Sequence, residues 1–216
     1  RYPGGKTWLV PKFCEWINKL PTRPNLLIEP FLGGGIISLS AIYYNLVDKG
    51  VMIEKDEEVS AVWKTILYGD WQKLIQKILT FNLTTETAKE IIEKQANTVE
   101  EVAFKTIIKN RIFHGGILAE GSGFLKHGEN GKGILSRWYP ATLARRIETI
   151  AAMRDRFVFH EGDAFDFINQ YTSYDNVVFF VDPPYTASKK KAGKRLYKYS
   201  DINHERLFSL LKNVNG

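Results

Sequence analysis

A chain of 216 residues can bury one substantial core, or one core plus a small appendage, and is too short for a large multidomain machine. Its 44% hydrophobic, 13% aromatic and 25% charged residues describe a folded globular protein, and a formal net charge of +6 points towards a polyanionic partner. The single cysteine, Cys14, excludes an intrachain disulfide and any multi-cysteine metal site, suits a reducing cytoplasm and is expected to pack in the core. No apolar run approaches the roughly 20 residues that span a bilayer, and no membrane association is expected.

In chain order, Asn25 to Ile28 forms a short apolar run ending in Glu29-Pro30. Gly33-Gly34-Gly35 follows, and then a stretch with apolar residues at helical spacing, so the order is strand, glycine turn, helix. A second run, Val51 to Ile53, ends in Glu54, and Glu57 to Leu67 again predicts a helix. These elements make the opening of a parallel α/β sheet. From about Gly69 to Met153 the periodicity is helical, clearest over Glu86 to Lys94 and Val99 to Lys109. A glycine-rich polar stretch from His114 to Gly133 within it predicts an ordered loop or a hairpin, and the whole region is read as an insertion. Phe157 to Glu161 and Asn176 to Val181 return to strand character, the latter being the continuous apolar run of a buried parallel strand. Asp182-Pro183-Pro184-Tyr185 ends that run, a basic loop follows, and Asn203 to about Asn213 predicts a final helix.

Two of these features carry chemistry. Glycines directly after a strand allow a ligand to approach the backbone, and an acid about 20 positions later can bind ribose hydroxyls. Gly33, Gly35 and Glu54 have that arrangement, which leaves the identity of the nucleoside cofactor open. In the tetrapeptide, consecutive prolines withhold backbone donors and force a rigid extended turn where the strand ends. Such a turn aims Asp182 and the Pro183 carbonyl at the carboxyl edge of a sheet, where α/β ligands bind. His127, His160 and His204 lack metal-ligand spacing, no metal is expected, and Trp8, Trp16, Trp63 and Trp71 are assigned to the core. Trp138 and Tyr139 are expected to brace the insertion.

With these residues in place, the chain resembles the Dam-type, alpha-group family of DNA adenine-N6 methyltransferases over nearly its whole length. Arg1-Tyr2-Pro3-Gly4-Gly5-Lys6 resembles the family's N-terminal cofactor motif, Glu29 to Gly35 its glycine motif, and Gly162-Asp163-Ala164-Phe165 its third motif. The order of cofactor half, insertion and tetrapeptide is that of the alpha group. The resemblance implies a Rossmann-like methyltransferase sheet with an inserted, mainly helical target-recognition region. The cofactor-binding half would comprise residues 1–68, the insertion 69–153 and the catalytic half 154–216. It also implies S-adenosylmethionine as methyl donor and double-stranded DNA as partner, in restriction-modification or related DNA marking within the cytoplasm. Tyr2 would pack near the cofactor, Lys6 would meet its carboxylate, and Phe31 with the glycines would line it. Glu54 would take the ribose, with Asp56 close by, Asp163 with Phe165 would hold the adenine, and Asp182 would also border the cofactor.

Adenine N6 is a poor nucleophile, because its lone pair is conjugated into the ring, and in a duplex it is stacked and paired. It must first be flipped out. Asp182 and the Pro183 carbonyl can then accept its two hydrogens, Pro184 stiffens the turn, and Tyr185 can stack on the base. Lys189, Lys190, Lys191, Lys194, Arg195 and Lys198 lie in one short segment beyond the tetrapeptide and suit phosphate contacts. Within the insertion, Asn110 to Gly116 resembles the segment from which the family contacts its site. Arg111, His114, Lys126 and Arg137 are unranked DNA-binding candidates there. The alternatives are an RNA or protein amino-methyltransferase, or a DNA-binding relative without catalysis. Only four central strands are recognisable, and the sheet looks truncated after the fourth, so a continuation of the polypeptide or a partner chain is expected to complete it.

Overall fold

The computed structural model describes residues 4–119, 121–128, 131–184, 197–199 and 201–214. Two compact units emerge, one built on Glu58–Arg154 and the other on Gly4–Glu57 and the described residues from 155 to 184 and from Tyr199 onward.

The second of these is an α/β unit. Its sheet contains β1 (Leu26–Glu29), β2 (Lys49–Glu54), β3 (Phe157–Glu161) and β4 (Val177–Phe179), all parallel, in the order β3-β2-β1-β4. The chain steps from β1 to β2 to β3 in one direction and then returns to the other side of β1. The carboxyl ends of β1 and β4 therefore flank a topological switch point, the place where doubly wound sheets open a crevice. The helices are α1 (Val10–Ile17), α2 (Ile36–Tyr43), α8 (Ala164–Tyr171) and α9 (His204–Leu211).

Register decides which side chains meet which helix. Ile28, Val51 and Phe179 are aligned across β1, β2 and β4, and they pack with Ile53, Phe167 and Tyr171 into one cluster on the α8 side. Leu27 aligns with Gly50 and Gly50 with Phe157; a Cβ at Gly50 would meet Phe157 at 3.2 Å and Ile42 of α2 at 3.8 Å. Glycine there lets α2 lie close to the sheet. Both faces of β1 and β2 are thus covered, which is why their sequences are apolar runs without alternation.

The other unit is helical, with α3 (Glu57–Leu67) opening at the boundary and α4 (Trp71–Thr80), α5 (Thr85–Glu93), α6 (Val99–Ile112) and α7 (Pro140–Ala151) following. Asp70, Thr84 and Thr98 cap α4, α5 and α6 by accepting from backbone N–H groups in their first turns. Leu74, Ile78, Ile108, Ile112, Leu143 and Ile147 form its core. After α6 the chain reverses: His114 N–H donates to Gly123 O at 2.9 Å and Leu125 N–H to Ile112 O at 2.8 Å, around an antiparallel bridge between Phe113 and Phe124. The glycine-rich stretch so begins as a minimal hairpin, and a short 3-10 turn, Gly133–Arg137, starts at its last glycine.

Several expectations need correction. Trp8 and Trp16 are 68% and 48% exposed, while Trp63 is buried at 6%, because α1 turns its Phe13 and Ile17 inward and leaves Trp16 outside. Cys14 is only partly buried on the same helix. Tyr139 is 55% exposed, whereas Trp138 packs edge-on against Phe81 with ring centroids 6.1 Å apart. Among the described residues no helix is long and apolar enough to cross a membrane.

Candidate active site

The loop after β1 is held by a buried acid. Glu29, 4% exposed, accepts hydrogen bonds from Ser38 N–H at 2.9 Å and from Ser38 Oγ at 2.5 Å, tying the strand end to the first turn of α2. Burial pushes its carboxyl up to about 7 against those two hydrogen bonds. Between them the chain passes Phe31 and turns through Gly33 (φ 49°) and Gly35 (φ 59°), both in the left-handed region that favours glycine.

Glu54 ends β2 within the same loop. One of its oxygens accepts from Gly33 N–H at 2.7 Å and the other from Asp56 N–H at 2.8 Å. Burial again dominates and raises this carboxyl to about 7. The spacing between the glycines and the acid, read from sequence, is therefore a direct contact. Asp56 is itself buried at 8% exposure, and its N–H holds Glu54.

At the end of β3, Gly162 N–H donates to Glu54 O at 2.9 Å and Asp163 caps α8 by accepting from Phe165 N–H at 3.0 Å. The other Asp163 oxygen meets Lys55 Nζ at 2.7 Å, which holds the carboxyl below the usual range against the effect of burial. Phe165 and Phe31 belong to one apolar cluster with Ile168 and Leu207, and the Arg206 guanidinium lies 4.7 Å from the centroid of the Phe165 ring. Lys55, Ser38 and Arg206 were not singled out from sequence. Lys55 had a local signal, directly after the strand-end acid, but Arg206 comes from a helix 41 positions beyond Phe165 and had none.

Asp182 follows β4, whose ladder extends one residue further through Phe180 N–H to Ile28 O at 2.9 Å. Its Oδ2 lies 2.5 Å from Lys6 Nζ, which also donates to Gly4 O at 3.0 Å. Lys6, assigned to a cofactor carboxylate in the sequence, is thus placed against the acid of the tetrapeptide. Pro183 and Pro184 are half-buried beside it. Tyr2 and Tyr185 lie outside the described residues, as do Lys189, Lys190, Lys191, Lys194 and Arg195; Lys198 is described and exposed.

In the helical unit, the DNA-binding candidates separate. Arg137 donates to Phe113 O at 3.0 Å and to Asn110 O at 2.7 Å, closing the carboxyl end of α6, and Asn110 Nδ2 donates to Gly116 O at 3.0 Å. Such bonds make Arg137 a scaffold group. His114 and Lys126 are exposed. Arg111 is half-buried on the last turn of α6, with burial and the nearby Arg137 and Arg146 pushing its guanidinium down to about 10.

Among the described residues no group of His, Cys, Asp and Glu could hold a metal ion. No curated protein matches the chain. The model of the family described as D12 class N6 adenine-specific DNA methyltransferase matches residues 2–215. A match of that extent, on a parallel sheet whose glycine loop and Asp182 follow adjacent strands, means that the chain belongs to this family and is an adenine-specific DNA methyltransferase.

Proposed function

We propose that the α/β unit binds S-adenosylmethionine and transfers its methyl group to N6 of an adenine flipped out of duplex DNA. The observation that carries this reading is the position of the glycine loop after β1 and of Asp182 after β4, on the two strands that flank the switch point. The donor set fits a nucleoside cofactor. Glu54 is a carboxyl for ribose hydroxyls, Asp163 an acceptor for an exocyclic amine, Phe31 and Phe165 are apolar surfaces, and left-handed glycines keep the backbone bare. When bound, the cofactor supplies an electrophilic sulfonium methyl.

The chain's own residues then orient the nucleophile. Asp182 and the Pro183 carbonyl accept the two N6 hydrogens, which draws the lone pair out of conjugation, and Tyr185 stacks on the base. Lys6 balances the Asp182 charge before the base arrives. As positive charge develops on N6, the Asp182 carboxylate stabilises it. The region 69–153 supplies target recognition and the basic segment from Lys189 to Lys198 supplies phosphate contacts, serving restriction-modification or related DNA marking.

The test is transfer of a labelled methyl group from S-adenosylmethionine to duplex DNA. Asp182→Ala is expected to lower the rate of transfer by at least about 100-fold with saturating cofactor. Label appearing in RNA or protein instead of DNA would overturn the reading, as would undiminished transfer by the variant. Sequencing of methylated adenines identifies the site.

A further inference from the structure

We propose that Lys55 is a positioning residue for the cofactor, holding Asp163 in place as the acceptor that distinguishes a purine with a 6-amino group from one without it. The inference rests on the cofactor reading above and adds to it a residue that no motif singles out.

Lys55 directly follows β2, and Asp163 stands two residues beyond β3, the neighbouring strand. Lys55 Nζ meets Asp163 Oδ2 at 2.7 Å across the carboxyl ends of the two strands, and one residue before each partner Gly162 N–H donates to Glu54 O at 2.9 Å. The acid for ribose and the acid for adenine are therefore tied together. Asp163 Oδ1 is engaged by Phe165 N–H at 3.0 Å. One bond at each oxygen fixes the plane of the carboxyl, whereas a bond at Oδ1 alone leaves the broad torsion about Cβ–Cγ unset. A carboxylate oxygen has two lone pairs, so Oδ2 can accept an amine hydrogen while Lys55 stays bound. Burial acts to raise this carboxyl, but the Lys55 hydrogen bond, the Phe165 N–H and the Arg206 charge outweigh it and keep the group below its ordinary value.

Lys55 is itself held. The centroid of the Tyr199 ring lies 5.2 Å from its Nζ, and the Tyr199 hydroxyl donates to Glu57 Oε1 at 2.8 Å. These contacts restrict a side chain that otherwise samples many rotamers. The side chains of Lys55 and Asp163 are 48% and 34% exposed, so their pairing adds little to folding stability. Its consequence lies in the orientation of Asp163.

The experiment measures the dissociation constants of the full chain for S-adenosylhomocysteine and for its 6-deamino analogue, in which purine riboside replaces adenosine. The unsubstituted chain is expected to prefer the adenosyl compound by at least about 10-fold, the effect of one hydrogen bond to a charged group. Lys55→Met keeps the length of the stem and removes the charge. It is expected to weaken the adenosyl compound about 3-fold and to leave the analogue unchanged, a loss below the roughly 5-fold that an exposed ion pair can supply. Lys55→Arg, which can still pair with the carboxylate, is expected to keep most of the preference. Equal weakening of both compounds in Lys55→Met and Lys55→Arg would mean a general structural role and overturn the assignment, as would an unchanged preference in Lys55→Met. Tighter binding of the adenosyl compound by Lys55→Met would make Lys55 a competitor of the amine and overturn it too. Failure of the underlying reading shows in the unsubstituted chain itself: no preference between the compounds would remove Asp163 from adenine recognition, binding of neither would sink the cofactor reading, and the role of Lys55 would fall with either.

Discussion

Cofactor binding should be linked to a proton on Glu54. Burial raises this carboxyl to about 7 although two backbone N–H groups, of Gly33 and Asp56, favour its ionised form. Ribose hydroxyls donate hydrogen bonds, and an ionised carboxylate accepts them more strongly than a neutral carboxyl does. If only the ionised form binds well, affinity scales with the ionised fraction. That fraction is about one tenth at pH 6, one half at pH 7 and nine tenths at pH 8, for a group titrating near 7. The dissociation constant for S-adenosylmethionine should therefore fall about 10-fold between pH 6 and pH 8. Glu54→Gln removes the titration and the charge, so its affinity should be nearly flat with pH and about 10-fold weaker than that of the unsubstituted chain at pH 8, one charge-assisted hydrogen bond being worth about 1.5 kcal/mol more than a neutral one. Calorimetry in two buffers of different ionisation enthalpy reads both the affinity and the proton released. A flat profile in the unsubstituted chain, or an equal slope in Glu54→Gln, would exclude Glu54 as the linked group.

The same shifts govern the stability of the free protein. Glu29 and Glu54 both titrate higher in the folded chain, from an ordinary value of 4.5 to about 7, so the folded state keeps protons that the unfolded state has released. Stability should fall as pH rises from about 4.5 to about 7 and level off above, and Glu29→Gln with Glu54→Gln should flatten the denaturant midpoint across that window. Arg137→Ala removes two charged donors from the carbonyls of Asn110 and Phe113, and a loss of about 2–4 kcal/mol in urea unfolding is expected, against less than about 1 kcal/mol for a surface arginine. Gly128→Ala should be costly, because at φ 62° its Cβ would lie 2.2 Å from Gly133 O. Gly131→Ala, with φ 70° and nothing within 4 Å, should cost only the backbone strain of about 1–2 kcal/mol; limited proteolysis of the glycine-rich stretch should separate the two.

Local signals carried far in this chain. Strand β3 coincides with the apolar run from Phe157 to Glu161 and α3 with the periodic stretch from Glu57 to Leu67, because pattern and element are both short-range. The glycine loop, Glu54 and the tetrapeptide were legible for a similar reason: each needs a residue type that only a particular backbone turn tolerates or exposes. Helices α1 and α8 were not recognised. Leu9 forms no side-chain cap for α1, and α8, though capped by Asp163, is only 8 residues long, too short for its apolar spacing to stand out.

What required the tertiary structure is anything that depends on partners distant in sequence. The order β3-β2-β1-β4, and with it the switch point, follows from which strand pairs with β1, and a backbone ladder does not record in the residues which strand is the neighbour. Lys6 and Asp182 are separated by 176 positions, and only folding brings their charges to 2.5 Å. Arg111 and Arg137 are the same residue type in one predicted insertion. The Nε of one is shielded without a partner, while the other donates to two carbonyls at the end of α6. Sequence alone thus specified the chemical groups and the turns that hold them, while packing decided which charges meet, since electrostatic and hydrogen-bond energies depend on distance in space and not along the chain.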